Sequence, residues 1–112
     1  MTEVLKRYVD RMNAHDVKGI ADRWVEGGIF DDESAKLLTG KPAYCVGKKK
    51  IRGTFRLMFL FKPKAEILKM YDNGLEMDYD IHIIGKTLPC HGKVEQQQDG
   101  KFLVYSCRPR QD

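Results

Sequence analysis

The segment LEMDYDIHII, in the second half of the chain, constrains the fold more than any other feature of the sequence. Apolar residues stand at every odd position from 75 to 83, and the positions between them carry polar side chains: Glu76, Asp78, Asp80 and His82. Successive side chains of a β-strand point to opposite faces, so this period of two predicts a strand with one buried face and one exposed face.

The neighbouring segments extend this strand into a sheet. EILKMY precedes it and is joined to it through the Asn73-Gly74 turn signal. CHGKVEQQQ and KFLVYSCRP follow it, separated by a second turn signal at Asp99-Gly100. Asn-Gly and Asp-Gly pairs between alternating segments are typical of β-hairpins. The second half of the chain is therefore predicted to be an antiparallel meander.

The first half carries the period of amphipathic helices instead. Apolar residues at helical spacing predict a helix over residues 3–14 that buries Tyr8, with Thr2 as its N-cap. Asp16 is the expected N-cap of a second helix that runs through Trp24 and ends at the glycines that follow. These two helices form the predicted N-terminal hairpin.

A short strand, IFDDES, follows the hairpin, and its parity places Phe30 and Asp32 on one face. Residues 35–46 read as irregular, and a third helix is predicted from Lys48 to Leu60. Three helices followed by a run of strands indicate one α+β domain over residues 1–112. In it, a curved antiparallel sheet packs on three N-terminal helices as a cone with an open mouth.

Composition narrows the class of protein. Hydrophobic residues make up 42% and charged residues 32%, as in soluble globular proteins. No apolar run approaches the roughly 18 residues of a membrane span, and the N-terminus MTEVLKRY has no signal-peptide core. The cytoplasm is the expected location, with no membrane partner. No metal site is expected, because the cysteines and histidines are scattered: Cys45, Cys90, Cys107, His15, His82 and His91.

Charge is distributed unevenly along the chain. Residues 34–65 contain nine Lys or Arg and no acid, whereas residues 72–83 contain four acids and no Lys or Arg. Nucleic acid is not expected as a partner, because no stacking aromatics alternate with the lysines at 48–50. The opposite charges predict a homodimer built on the sheet. Its apolar centre would be either Leu103, Tyr105 and Cys107 or Phe102 and Val104, whichever parity faces outward.

Two segments resemble a known family. RYVDRMNAHDVKGIADRWVEGGIFDD and GKKKIRGTF are similar to the nuclear transport factor 2-like superfamily, and within it to the ketosteroid isomerase and SnoaL-like polyketide cyclase branch. The matching positions are Tyr8, Asn13, Ala14, Asp16, Gly19, Ile20 and Asp32. The resemblance implies a cystatin-like cone with a pocket for a small apolar organic ligand. It also implies isomerase or cyclase activity by proton abstraction next to a carbonyl, without a cofactor.

The resemblance assigns roles to three positions. Asp32 matches the general base of the isomerases, and Tyr8 matches the tyrosine that donates a hydrogen bond to the substrate oxyanion. Val94 stands where these enzymes carry their second donor, a protonated aspartic acid. Elementary chemistry supports the base, because a carboxylate held among aromatic side chains loses hydration and its pKa rises.

The large apolar residues allow two interpretations. As a ligand pocket, the cone would be lined by Trp24, Phe30, Phe55, Met58, Met77, Tyr79 and Val94. In the alternative, the chain is a non-catalytic dimeric protein-interaction module whose cone is filled by its own large side chains: Trp24, Phe55, Met58, Phe59, Met77 and Tyr79. An open mouth with Asp32 at its floor distinguishes the first from the second.

Overall fold

The computed structural model describes residues 3–111, so the predicted N-cap Thr2 lies outside the described residues. The helices are α1 (Glu3–Asn13), α2 (Val17–Ala21), α3 (Lys36–Thr39) and α4 (Lys48–Met58). The strands are β1 (Trp24–Asp32), β2 (Ala43–Val46), β3 (Lys64–Met70), β4 (Glu76–Ile83), β5 (Lys86–Gln98) and β6 (Lys101–Pro109). Two 3₁₀ turns, Glu33–Ala35 and Phe59–Phe61, follow β1 and α4.

The six strands form one curved, unclosed sheet in the order β2-β1-β6-β5-β4-β3. All neighbours pair antiparallel except β1 and β6, which run parallel, with Phe30 opposite Tyr105 and Asp32 opposite Cys107. The predicted α+β class is confirmed. The sheet is mixed rather than wholly antiparallel, because β1 lies beside the last strand of the meander.

The alternation predicted for β4 is present in full. Its inward face is buried at Met77, Tyr79, Ile81 and Ile83, while the positions between them are half-buried on the outer face. In β6 the parity breaks, since Phe102, Tyr105 and Cys107 are all buried. Register shifts in the β5–β6 pairing after Val94 account for this break. Two alternative sets of outward-facing residues were predicted for β6, and neither is correct. Tyr105 and Cys107 of one set are buried, and so is Phe102 of the other.

Five aromatic side chains pack together between the helices and the inner face of the sheet. We call them the aromatic cluster: Tyr8, Trp24, Phe55, Phe102 and Tyr105. The Tyr8 ring lies 4.8 Å from that of Tyr105, and the Trp24 ring 5.1 Å from that of Phe102, centroid to centroid. Each of the five is at most 1% exposed. Such rings carry large buried areas and further edge-to-face attraction, so the cluster is the centre of the core.

Polar contacts at the ends of α1 and α2 confirm two of the sequence features. Asp16 caps α2, with Oδ1 accepting from the Gly19 amide at 2.9 Å, and that backbone hydrogen bond lowers the pKa of Asp16. Asn13 bridges α1 to β3, accepting from the Ala65 amide at 2.7 Å and donating to the Ala65 carbonyl at 3.0 Å. Two of the residues that match the family thus have structural roles: Asp16 caps a helix, and Asn13 connects α1 to β3.

The second helix is shorter than predicted. It ends at Ala21, and Trp24 instead begins β1, opposite Phe102. The indole N–H of Trp24 donates to the Ile29 carbonyl at 2.9 Å, and the strand register shifts between these two residues. Gly27, at φ +75°, permits this bulge.

Two further boundaries differ from the prediction. Residues 35–46 are not irregular throughout, since they contain α3 and the edge strand β2. The third predicted helix is α4, which ends at Met58 and tightens into the 3₁₀ turn before the left-handed residue Lys62. No helix within residues 3–111 is both long enough and apolar enough to cross a membrane.

Substituting Gly92→Ala should destabilise the fold by about 1–3 kcal/mol, because the added methyl group would meet the Tyr105 hydroxyl and approach the Tyr79 ring to 3.0 Å. Gly53→Ala is the matched control, since nothing lies within 4 Å of a methyl group there. Alanine should stabilise α4 at that position by up to about 1 kcal/mol. Urea unfolding measures both, and destabilisation of similar size in the two variants would contradict the packing described here.

Candidate active site

A cavity of about 240 Å³ opens beside the aromatic cluster. Its walls come from the end of β1, the turn after it, α3, β2, the last turns of α4 and the inner faces of β4 and β5. Its large apolar wall residues are Phe30, Leu38, Leu57, Met58, Phe61, Ile81, Ile83 and Leu88. A mostly apolar concave site with few polar groups is typical of small-molecule pockets.

Asp32 is the carboxylate of this cavity. It lies at the end of β1 with the parity of Phe30, and both residues line the cavity wall, as the alternation predicted. Burial raises the pKa of Asp32 to about 6, because the charged form loses hydration. Hydrogen bonds from the Cys107 thiol and from the backbone of Ser34 and Ala35 oppose this rise. Asp32 therefore titrates near neutrality.

Behind Asp32 a series of hydrogen bonds, which we call the polar chain, leads into the core. The Cys107 sulfur accepts from the Tyr79 hydroxyl at 3.2 Å and lies 3.3 Å from the Ser34 hydroxyl. The Tyr79 and Tyr105 hydroxyls are 2.9 Å apart. Burial raises the pKa of both tyrosines well above the ordinary value. The polar chain therefore stays protonated, and it links Asp32 to the aromatic cluster.

Tyr8 belongs to the inner part of the polar chain and is not a wall residue of the cavity. Its hydroxyl is hydrogen-bonded to Tyr79 and wholly buried. Burial raises the pKa of Tyr8 well above its usual value, and the negative charge of Asp32 contributes to the rise. Tyr8 and Asp32 thus interact electrostatically, but the structure does not bring both to one cavity surface.

The remaining pocket residues predicted from the sequence fall into two groups, those that line the cavity and those that are buried away from it. Phe30 and Met58 line the cavity. The other five are buried in the core and lie off the cavity wall: Trp24, Phe55, Met77, Tyr79 and Val94. The two interpretations of the cone therefore each describe a part of it, since the inner part is filled by side chains and the outer part is open.

Several wall residues were missed. Ile81 and Ile83 share the buried face of β4, so the alternation itself signalled them. Ser34 and Thr54 carried no signal, because their place on the wall depends on tertiary packing. The Thr54 hydroxyl lies 3.1 Å from the Cys45 sulfur. Of the described residues that line the cavity, only Asp32 and Lys41 are ionisable.

One group of three metal-ligating side chains lies on the outer face of the sheet, away from the cavity. Ligand atoms of Glu66, Asp80 and His82 lie within 4.8 Å of one another. Two of these groups bond to each other, with the His82 ring nitrogen 3.2 Å from Glu66, and Arg110 donates to Asp80 at 2.9 Å. These contacts explain the cluster as an arrangement of hydrogen-bonded side chains.

Comparison with known proteins agrees with this architecture. No family model matches the sequence, and no curated protein matches it. Among solved structures, an NTF2-like protein of unknown function from Cytophaga hutchinsonii superposes with a TM-score of 0.75 at 17% identity, over 98% of this chain and 90% of that one. A SnoaL-like protein of unknown function from Burkholderia thailandensis gives 0.74 at 13%, over 95% and 90%.

A third neighbour is described as an enzyme. It is an epoxide hydrolase/cyclase-like protein with a role in pyran ring formation in the polyether salinomycin. It superposes with a TM-score of 0.71 at 15% identity, over 94% of this chain and 86% of that one. The chain therefore has the fold of the nuclear transport factor 2-like, SnoaL-like and ketosteroid isomerase-like proteins, as the resemblance in its sequence implied.

Proposed function

We propose that the chain binds a small apolar carbonyl compound in the cavity and abstracts a proton next to the carbonyl, with Asp32 as general base. The observation that carries this proposal is a carboxylate on a mostly apolar wall with a pKa of about 6. Such a group is largely ionised at pH 7 and is still basic enough to accept a proton, which is the condition for efficient general base catalysis.

Hydroxyl groups around Asp32 would stabilise the enolate that proton removal leaves behind. Ser34 and Thr54 line the same cavity, and each hydroxyl lies against a cysteine sulfur. A thiol is a weak partner, so either hydroxyl can turn to donate to a substrate oxygen. Tyr8 would contribute through Tyr79 rather than by direct contact with substrate. Hydrogen bonds to developing charge are strong where water is excluded.

The size of the cavity limits the substrate. At about 240 Å³ it is smaller than the roughly 300 Å³ at which pockets for drug-sized ligands begin. The aromatic cluster occupies the space into which a larger ring system would extend. Linear or single-ring carbonyl compounds fit this volume, whereas a four-ring steroid does not. Isomerisation or cyclisation of a small carbonyl compound is therefore the reaction class that we favour.

We also propose that the protein is a homodimer built on the outer face of the sheet. Ile29 stands opposite Val46 on one side and Val104 on the other, so the three form an apolar row across β2, β1 and β6. Tyr44 is 62% exposed beside this row. An apolar row of this kind on an outer sheet face suits a symmetric contact with a second copy.

The acids of β4 contribute less to such a dimer than their sequence suggested. His91 lies 2.7 Å from Asp78 and 3.0 Å from Glu76, and Arg110 donates to Asp80 at 2.9 Å. These acids have partners within the chain, so the apolar row has to provide most of the affinity. Charged pairs at a rim add little.

Asp32→Asn should remove proton abstraction and reduce turnover by about 10²- to 10⁴-fold, because the amide cannot accept the proton. The assay is deuterium exchange at the α-carbon of cyclohexanone in D₂O, followed by NMR. The wild-type rate should rise with pH through a midpoint near 6, the pKa of Asp32. Asp31→Asn is the matched control, since Asp31 pairs with Arg108 at 2.8 Å and lies off the cavity wall.

Stability provides a second readout for the same pair of variants. The pKa of Asp32 is higher in the folded state, so wild type loses stability as pH rises from about 4 to about 6. Asp32→Asn should therefore be at least as stable as wild type at pH 7. Exchange that is unchanged in Asp32→Asn, or equally lost in Asp31→Asn, would overturn the assignment of the base.

Cys107→Ala should raise the pKa of Asp32, because it removes a hydrogen bond that favours the ionised carboxylate. The midpoint of the exchange profile should move upward by about half to one pH unit. Cys45→Ala is the control, since it also removes a buried thiol but does not contact Asp32. A midpoint that stays near 6 in Cys107→Ala would show that the thiol does not act on the base.

The dimer is tested by sedimentation at low and high salt. A species of twice the chain mass should persist at high salt, because the apolar row does not depend on charge. Val46→Asp, on the row, should produce monomers, and Leu68→Asp, on the opposite edge strand β3, should not. A monomer at micromolar concentration in both salts would remove the proposal.

A further inference from the structure

Exposed apolar side chains lie on several of the segments that border the cavity. Of the eight large apolar residues that are exposed in residues 3–111, five lie on segments that border it. We call these five the rim: Leu37 (42% exposed), Leu57 (64%), Leu60 (72%), Phe61 (52%) and Ile84 (58%). Leu57 and Phe61 are wall residues themselves, and Leu37 and Ile84 adjoin the wall residues Leu38 and Ile83. Exposed apolar side chains on segments that border an apolar cavity indicate a contact with an apolar partner.

Exposed lysines lie close in sequence to the rim, and Asp32 is the only acid among the described residues that line the cavity. Lys41 lines the mouth, and Lys62 and Lys86 are exposed close in sequence to Phe61 and Ile84. Neither residues 34–65 nor residues 83–94 contain an acid. Glu33, just before the first stretch, is half-buried and paired with Lys36 at 3.2 Å, whereas Glu66 and Glu95, just after the two stretches, are exposed. The basic stretch of the sequence is therefore a cationic border for an apolar opening.

The exposed side of α4 continues this arrangement along its length. Lys49, Lys50 and Arg56 are exposed on the helix that leads to Leu57 and Leu60. The buried side of the helix carries Ile51 and Phe55 instead. The exposed side of this segment therefore offers cations that can contact lipid phosphates next to apolar side chains that can enter the headgroup boundary.

We infer that the rim docks on the surface of an anionic lipid bilayer. Apolar side chains of the rim would enter the boundary between headgroups and acyl chains, while the surrounding cations contact lipid phosphates. A second copy of the chain does not suit this surface, because its own cations would face those of the first copy. No membrane partner was expected because the sequence has no apolar run long enough to span a bilayer. Peripheral docking does not need such a run. The inference holds whether or not Asp32 acts as a base.

Docking in this way would place the cavity over the bilayer. Leu57, Phe61 and Lys41 are exposed residues that also line the cavity, so a ligand dissolved in the lipid would enter beside them without crossing water. The remaining walls are mostly apolar, with Ile81, Ile83 and Leu88 opposite α4. A ligand that partitions into membranes is the kind of molecule that such an entrance selects.

The test is co-sedimentation with vesicles of phosphatidylcholine alone and of phosphatidylcholine mixed with phosphatidylglycerol. We expect binding to the anionic vesicles and a decrease with added salt, because screening weakens the contacts to phosphate. Leu60→Asp should weaken binding about tenfold or more, by loss of an inserted apolar side chain. Lys86→Glu should weaken it about fivefold or more.

Matched controls distinguish vesicle binding through the rim from nonspecific adsorption. Leu68→Asp changes an exposed leucine on β3, and Lys6→Glu changes an exposed lysine on α1, both off the cavity wall. Circular dichroism confirms that each variant is folded. The inference is overturned if neither vesicle binds wild type, if the controls lose as much binding as the rim variants, or if Leu60→Asp abolishes self-association in the absence of lipid.

Discussion

The parallel pairing of β1 with β6 is the constraint on which the site depends. It joins a strand from the first third of the chain to its last strand and places Asp32 directly opposite Cys107. Without this register the Asp32 carboxylate would lack the Cys107 thiol, which favours its ionised form. It would also lack the apolar wall, which disfavours that form. The balance of these two effects puts the pKa of Asp32 at about 6.

The aromatic cluster sets the depth of the cone. Trp24 contributes from the start of β1, Tyr8 from α1 and Tyr105 from β6, so three separate parts of the chain meet in one packed volume. Protein interiors pack at crystal-like density, and the cluster therefore leaves little room for a ligand beneath it. The open space lies nearer the mouth, between α4 and the inner face of β4. The volume and the position of the cavity are both consequences of this packing.

Local patterns in the sequence were enough to predict much of the fold. The alternation over β4, the N-cap at Asp16 and the shared parity of Phe30 and Asp32 each depend on residues close in sequence, and all three are present. Trp24 was assigned to a helix, because a strand interrupted by a bulge shows no period of two. The bulge at Gly27 is stabilised by contacts with β6, which the local sequence does not reveal.

The candidate site was predicted less completely than the fold. Asp32 was identified, but the division between filled core and open cavity was not, since it depends on how side chains from distant segments compete for one volume. Met77, on the apolar face of β4, and Val94, at the position that the resemblance gives to the second donor, were wall candidates, but both are buried off the cavity wall. Leu37 and Lys41 lie in or between α3 and β2, two elements that the sequence did not reveal.

The position of β6 at the C-terminal end of the fold has a consequence for biosynthesis. When β1 leaves the ribosome its strand partner on one side, β6, has not been made, because 69 positions separate Asp32 from Lys101 (101 minus 32). At roughly 5–20 residues per second, translation leaves that edge of β1 unpaired for several seconds. The β4–β5 hairpin, joined by a short turn, can form earlier. Nascent chains therefore carry an unprotected edge that ends at Asp32 until the last strand is added.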